Sequence, residues 1–285
     1  MSVKDIYRGL LQVSASVLGA PTTKKLDARI RFGRKINLKQ PESLADKLCY
    51  LELFTEDERK VRCTDKYAVR EYVAEKGLEE ILVPLVQGPV SRLSQLCYDR
   101  LPEQFAMKAT HGCGMNLICS SKARLPEEQV MTLAKKWLQE EYPRACIEPH
   151  YKKIPKRLII EEFLEDADTI IDYKFHCFHG EPDFVLVCGS RGSGLQKRLY
   201  TTDWQNIDAM VGKQQGKEEF QKPLHLEKML QISRILAAEF DFVRVDLYEI
   251  KGKIYFGELT FSPASGVLPN FSEEFVREKG KLLKL

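Results

Sequence analysis

Phe242-Val-Arg-Val-Asp-Leu-Tyr-Glu-Ile-Lys-Gly-Lys-Ile-Tyr-Phe-Gly-Glu-Leu-Thr-Phe261 is two apolar, β-branched and aromatic runs hinged on Lys251-Gly252-Lys253. That pattern predicts a β-hairpin. Side chains alternate across a strand, so Arg244 and Asp246 share one face of the first run, and Glu258 and Thr260 share one face of the second. If the two charged faces coincide, the carboxylates repel and are costly to bury unless a cation lies between them. A hard divalent ion fits that need, since Mg2+ takes one or two carboxylates and leaves the rest of its shell to water and phosphate oxygens. If the face looks at solvent, the charges need no such partner. The hairpin alone leaves both readings open.

The rest of the chain sets bounds. Its 285 residues, 44% hydrophobic and 30% charged, suffice for a full core divided among two or three lobes. No run approaches the ~20 apolar residues of a membrane span. The first residues lack the features of a secretory signal, so a cytoplasmic location is expected. Eight cysteines are scattered without a CxxC pair, which argues against zinc and for reduced, mostly structural thiols. The first forty residues hold nine Lys/Arg against two Asp/Glu, while the whole chain is only +3. This basic arm suits a solvated face, an acidic substrate or peripheral attachment to an anionic membrane surface. Without interleaved aromatics or a known module, nucleic acid is not an expected partner.

Ile6, Leu10, Val13 and Val17 stand at helical spacing ahead of Gly19 and Pro21, and predict a helix packed on the core. Ser43 and Asp46 open a helix reaching to about Phe54, and Asp65 to Lys76 form another. Ile81 to Val86 reads as a strand and Ser91 to Tyr98 as a short helix. Phe105 to Lys108, a Gly-rich turn and Leu117 to Cys119 read as strand, turn, strand, before a helix from Pro126 to about Tyr142. Leu158 to Leu164 is a strand, and Tyr173 to Phe178 with Phe184 to Gly189 a hairpin. Helices over Leu226–Phe240 and Ser272–Leu283 complete an α+β chain with antiparallel sheets.

Three further groups carry chemistry. In His111-Gly112-Cys113-Gly114, glycines let backbone N–H groups approach a phosphate, and Lys108 precedes the turn. It is neither a P-loop nor a Rossmann turn, because no helix follows. Glu161-Glu162-Phe163 ends a strand with two carboxylates and exposed backbone groups able to read a base edge. Asp172 and Lys174 share a strand face, and Lys174 is a second candidate for phosphate. Arg191 and Arg198, beside Gly192-Ser193-Gly194, are candidates for gripping a substrate carboxylate.

In this order, the segments Asp65–Val73, Lys108–Gly114, Ile160–Leu164, Asp172–Phe175 and the closing hairpin resemble the ATP-grasp superfamily, and more closely its TupA-like branch. The resemblance runs from about Gln40 to the C-terminus. It implies an ATP-grasp fold: two antiparallel-sheet α+β lobes holding Mg-ATP between them, behind an N-terminal helical segment. The expected divisions are a helical, basic segment (1–64), a linker lobe (65–100), a small lobe with the Gly-rich loop (101–165) and a large lobe with the metal site (166–285). Lys66 and Lys108 are then phosphate lysines, and His111, Gly112 and Gly114 belong to the loop over the triphosphate. Glu161, Glu162 and Phe163 become the adenine hinge, and Asp172 serves the ribose. Asp246 and Glu258 become magnesium ligands together with Thr260, which stands where many relatives have Asn. Arg244 steadies the transferring phosphoryl group.

The activity implied is ATP-dependent ligation of a carboxylate to an amine through an acyl phosphate. The carboxylate and amine are small or sugar-linked, in bacterial surface-polysaccharide (capsule) biosynthesis. A phosphotransferase or a glycosyltransferase-like enzyme acting on a polysaccharide precursor are the alternatives. The oligomeric state is not legible.

Overall fold

The computed structural model describes residues 3–164, 170–189, 194–212, 215–216 and 219–285. In chain order it runs α1 (Val3–Leu18), α2 (Ala20–Phe32), α3 (Leu44–Phe54), α4 (Glu58–Thr64), α5 (Ala68–Glu75), β1 (Leu85–Val90), β2 (Phe105–Ala109) and β3 (Asn116–Cys119). There follow α6 (Glu127–Gln139), β4 (Leu158–Glu162), β5 (Asp172–Phe178), β6 (Glu181–Gly189), β7 (Gln196–Thr201), β8 (Asn206–Ile207), α7 (Leu226–Ala237), β9 (Phe242–Ile250), β10 (Lys253–Thr260) and α8 (Glu273–Gly280). The strands make two antiparallel sheets, of order β1-β4-β2-β3 and β10-β9-β5-β6-β7-β8. The α+β, two-sheet architecture expected from the sequence is the one found.

Alternation builds the large sheet's two faces. Tyr173, Phe175, Val243, Val245 and Leu247 point into a core shared with α5 and α7. Phe178, Phe184 and Phe242 point the other way, into a core with α3 and α8. Lys174 lies across from Asp246 and His176 across from Arg244, so these polar groups occupy the second face beside its aromatic core. In the small sheet, α6 covers one side through Val130, Ala134 and Trp137.

The hairpin contains a feature its sequence does not announce. Ile254 and Phe256 face the first core, so strict alternation would send Glu258 there too. A β-bulge between Phe256 and Glu258 resets the phase, pairing Glu258 with Asp246 and Thr260 with Arg244. Gly257 makes it possible: a Cβ there would sit 3.0 Å from the Asp246 carbonyl oxygen. The bulge brings both charged faces together, and Leu259 takes the core position instead.

Several expectations need correction. The apolar stripe of α1 does not pack on the core: Ile6, Leu10, Val13 and Val17 are 46%, 64%, 61% and 73% exposed, whereas Leu11 on the opposite side is 5% exposed. Gly19 and Pro21 end α1 but also start α2, because proline fits the first turn of a helix, where its missing N–H is not needed. The basic arm is therefore largely helical. The strand expected from Ile81 begins at Leu85, and Ser91–Tyr98 forms only 3-10 turns. β1 pairs with β4, so the small sheet draws on the segment expected as a linker lobe. No described helix is long and apolar enough to cross a membrane.

Candidate functional site

Asp246 is the centre of the site. Its carboxylate is 1% exposed and accepts two bonds from the Arg244 guanidinium, Nε to Oδ1 and Nη2 to Oδ2, both 2.6 Å. The Lys174 ammonium also donates to Asp246, and lies 2.6 Å from the buried Asp172 carboxylate. Arg244 Nη2 reaches Glu258 Oε1 at 3.1 Å and the Thr260 hydroxyl at 3.0 Å, and that hydroxyl donates to Glu258 Oε1 at 2.9 Å. Burial would push the Asp246 carboxyl up, but Arg244 and Lys174 hold it below the usual aspartate range. Burial does push Asp172 up, against the pull of Lys174. The group as a whole holds three carboxylates and two cations, with Glu258, 39% exposed, as its open corner.

A cavity of about 390 Å³ opens beside Glu258, between the two sheets. Lys66, Lys108, Gly114, Glu161, Glu162 and Phe163 line it, with apolar walls from residues such as Val83, Ile118 and Ile159. That volume and mixed lining suit a drug-sized or nucleotide-sized ligand. Lys66 reaches the Gly-rich loop, donating to the Gly112 carbonyl oxygen at 2.5 Å. Gly114 holds φ at +74°, a conformation that side chains rarely adopt. Glu161 is bridged by Lys108 at 2.6 Å and Arg70 at 3.1 Å. Thus the buried Glu161 carboxylate serves as counter-ion to two cations on the cavity wall. Arg70 and Tyr248 line this cavity and were not singled out from the sequence, although Arg70 lies inside the quoted segment Asp65–Val73.

A second cavity, about 220 Å³, lies on the other side of Arg244. Asp172, Lys174, His176, Lys197 and Arg244 line it, closed by the segment from Pro263 to Phe271. His176 is 1% exposed and stacks on Phe184, ring centroids 4.1 Å apart. Its Nδ1 lies 3.1 Å from the Lys174 carbonyl oxygen, which can only accept, so the proton is on Nδ1. Burial, then the charge of Arg244, keeps the ring neutral by lowering its pKa well below the usual histidine value. Nε2 is therefore a lone-pair acceptor, and it has no hydrogen-bond partner among the described residues. The closing segment holds Ala264, Ser265 and Leu268 at φ of 49°, 56° and 52°. Such strain persists only where surroundings over-determine it. Here Glu148 accepts from the hydroxyls of Ser262 (3.0 Å) and Ser265 (2.9 Å), and Arg144 ties Glu148 to Asp27 of α2.

The structure thus gathers Lys66, Lys108, Gly114, Glu161, Glu162 and Phe163 on one cavity and Arg244, Asp246, Glu258, Thr260 and Lys174 in one network. Other expectations fall elsewhere. His111 does not line the nucleotide-sized cavity; its ring is buried and its Nε2 is 3.1 Å from the Glu140 carbonyl oxygen. Gly112 contributes its carbonyl to Lys66 rather than a cavity surface. Asp172 lines the second cavity, not the one where a ribose role would put it. Arg198 is one residue out of phase: in β7 the pleat turns Lys197 to the second cavity, while Arg198 meets Asn206 at 3.1 Å. Arg191 lies outside the described residues.

For a metal, Asp246, Glu258 and Thr260 supply three hard oxygen donors on one face. Among the described residues no cluster of three or more His, Cys, Asp or Glu could hold an ion. Two carboxylates and a hydroxyl match in number and kind what Mg2+ takes from a protein when water and phosphate complete its shell, and both Asp246 oxygens are held here by Arg244 and Lys174.

The model of TupA-like ATP-grasp proteins matches residues 46–284. Similar solved structures include the D-alanine–D-alanine ligase of Helicobacter pylori, 12% identical, with a TM-score of 0.47 over 86% of this chain and 70% of that one. The D-alanine–D-alanine ligase of Bacillus anthracis complexed with ATP is 13% identical, with a TM-score of 0.43 over 70% of this chain. This chain spans 55% of that ligase's length. The N5-carboxyaminoimidazole synthase of Aspergillus clavatus, solved with ADP and its ribonucleotide, is 12% identical, with a TM-score of 0.42 over 70% of this chain and 44% of that one. No curated protein matches the chain.

Proposed function

Because the chain belongs to the TupA-like ATP-grasp family, we propose that it is an ATP-dependent carboxylate–amine ligase whose nucleotide occupies the larger cavity and whose acceptor occupies the smaller. The observation that carries this reading is the Arg244–Asp246–Lys174–Glu258 network standing between the two cavities. Its groups are already held by one another, so little reorganisation is needed when charge develops there.

Adenine stacks between the apolar walls near Val83 and Ile159, against the backbone around Glu162 and Phe163. Lys108 and Lys66 meet the phosphates, and Gly114 lets the loop backbone approach them. Asp246 and Glu258, with Thr260 beside them, would hold Mg2+, which when bound would neutralise phosphate charge. A substrate carboxylate oxygen attacks the γ-phosphorus, the bond to the β-phosphate bridging oxygen breaks, and ADP leaves. Arg244 steadies the phosphoryl oxygens throughout. The amine then attacks the acyl carbon, the bond from that carbon to the phosphate oxygen breaks, and inorganic phosphate departs with the proton that the nitrogen gives up. Lys197, on the same cavity as Arg244, adds positive charge to hold an anion. The substrates proposed are small or sugar-linked, as in surface-polysaccharide assembly.

The test is product analysis with Mg-ATP, glucuronate and an amine such as glutamate or glucosamine. Phosphate release that needs both carboxylate and amine supports the ligase. ADP formation with the phosphoryl group retained on a hydroxyl, and no free phosphate, assigns a phosphotransferase instead.

A further inference from the structure

The N-terminal helices present a surface that the proposed ligase reaction leaves unused. At 100° per residue, Ile6, Leu10, Val13 and Val17 fall within roughly 60° of one another on α1. All four are exposed, and Leu18 at the helix end is 50% exposed. The opposite side of α1 seals the protein: Leu11 is buried, and Tyr7, Arg8 and Leu11 wall a cleft that reaches Gly114. The stripe therefore faces outward.

Helix α2 runs back along α1, as shown by the Ser14–Thr23 hydroxyl pair at 2.9 Å and by Arg31 over the Tyr7 ring at 5.6 Å. It adds Leu26 and Ile30, 42% and 76% exposed, and Lys25 and Arg29 are exposed beside them. Its one acid, Asp27, is buried and neutralised by Arg144 at 2.7 Å. Beyond α2, Lys35 and Lys39 are also exposed. From residue 6 to residue 39 the outer surface of this hairpin is thus apolar and cationic, its one acid being the buried Asp27.

We infer that this helical hairpin docks the protein flat on an anionic lipid surface, with the α1 stripe in the interface and the α2 cations against headgroups. Charge selects this occupant. A second copy on the same face would set like cations against each other, whereas anionic headgroups complement them. The mode is peripheral, since no described helix is long and apolar enough to span a bilayer. Docking would bring the cleft lined by Tyr7, Arg8 and Gly114 to within about one helix diameter, roughly 10 Å, of the lipid.

Sedimentation with vesicles of phosphatidylcholine, with and without phosphatidylserine, tests this on the full chain. Binding should require phosphatidylserine and weaken as salt rises. Each basic residue near the surface contributes about fivefold to partitioning, so Lys25→Glu with Arg29→Glu should weaken binding at least ~25-fold. Leu10→Glu with Val13→Glu should do likewise. All four positions are exposed, so the melting temperature and its shift by Mg-ADP should not change. Absence of sedimentation by the wild type, or variants that bind as tightly as it does, would overturn the inference. So would a wild-type dimer in light scattering that Leu10→Glu with Val13→Glu converts to monomer, which would assign the face to self-association.

Discussion

Asp246→Asn removes one negative charge from a buried group whose other members are two cations, the buried Asp172 carboxylate and the half-exposed Glu258 carboxylate. If the facing carboxylates did nothing but repel, losing one would relieve repulsion and spare or stabilise the fold. The structure reverses that sign for Asp246. Both of its oxygens accept from Arg244 at 2.6 Å, and Lys174 donates to it as well. The amide keeps the shape but leaves Arg244 and Lys174, with side chains 11% and 13% exposed, short of a counter-ion. Breaking one partner of a buried pair costs about 3–5 kcal/mol. At about 2–4 °C per kcal/mol for chains slightly shorter than this, the melt should fall by about 10 °C. Glu258→Gln is the control. Its side chain is 39% exposed and takes a single 3.1 Å contact from Arg244, so its cost should stay within about 1 kcal/mol and ~3 °C. Calorimetry of both variants without nucleotide checks this. If Asp246→Asn melts at or above the wild type, Asp246 is not the counter-ion this account makes it.

Two further outcomes follow from the geometry. Glu52, buried between Lys60 at 2.8 Å and His150 at 2.7 Å, is held at about 2: burial opposes, but His150 and Lys60 prevail. A depressed carboxyl stabilises the fold above its ordinary pKa and loses that contribution as pH falls through its folded value, so about 3 kcal/mol should drain away between pH ~4.5 and ~2. Acid melts of Glu52→Gln should lack this slope and start several degrees lower at neutral pH. In turnover, Lys197→Ala should raise the KM of the anionic acceptor with little change in that of ATP, while Arg198→Ala should leave both near wild type. Equal effects of the two would contradict the β7 phase.

What was legible in the sequence was whatever depends on local chemistry. The Lys251-Gly252-Lys253 turn with alternating strands gave the hairpin, and Ser43 with Asp46 gave a helix start that forms a full capping box. The bulge was not legible, because Gly257 reads like any strand glycine until the Asp246 carbonyl is packed against it. Helical spacing located the α1 stripe but not what it faces, since periodicity fixes a side and tertiary packing fixes its neighbour. Arg198 was singled out and Lys197 passed over, because without a strand assigned over Gln196–Thr201 there is no pleat to sort the two faces. His176 escaped notice because an isolated histidine in an aromatic strand carries no signal until Arg244 and a cavity lie beside it. Arg70 became visible only when β4 brought Glu161 to α5.

The most direct test of the central claim is a thermal melt with ADP, with and without Mg2+, on wild type and Glu258→Gln. Ligand at ~100 times its dissociation constant adds about 2.7 kcal/mol, which shifts the melt of a chain this size by several degrees. The account predicts a shift that depends on Mg2+ in the wild type and shrinks in Glu258→Gln, whose fold is otherwise intact. A shift of equal size in both proteins, or none with any nucleotide, would contradict a magnesium–nucleotide site between the two sheets.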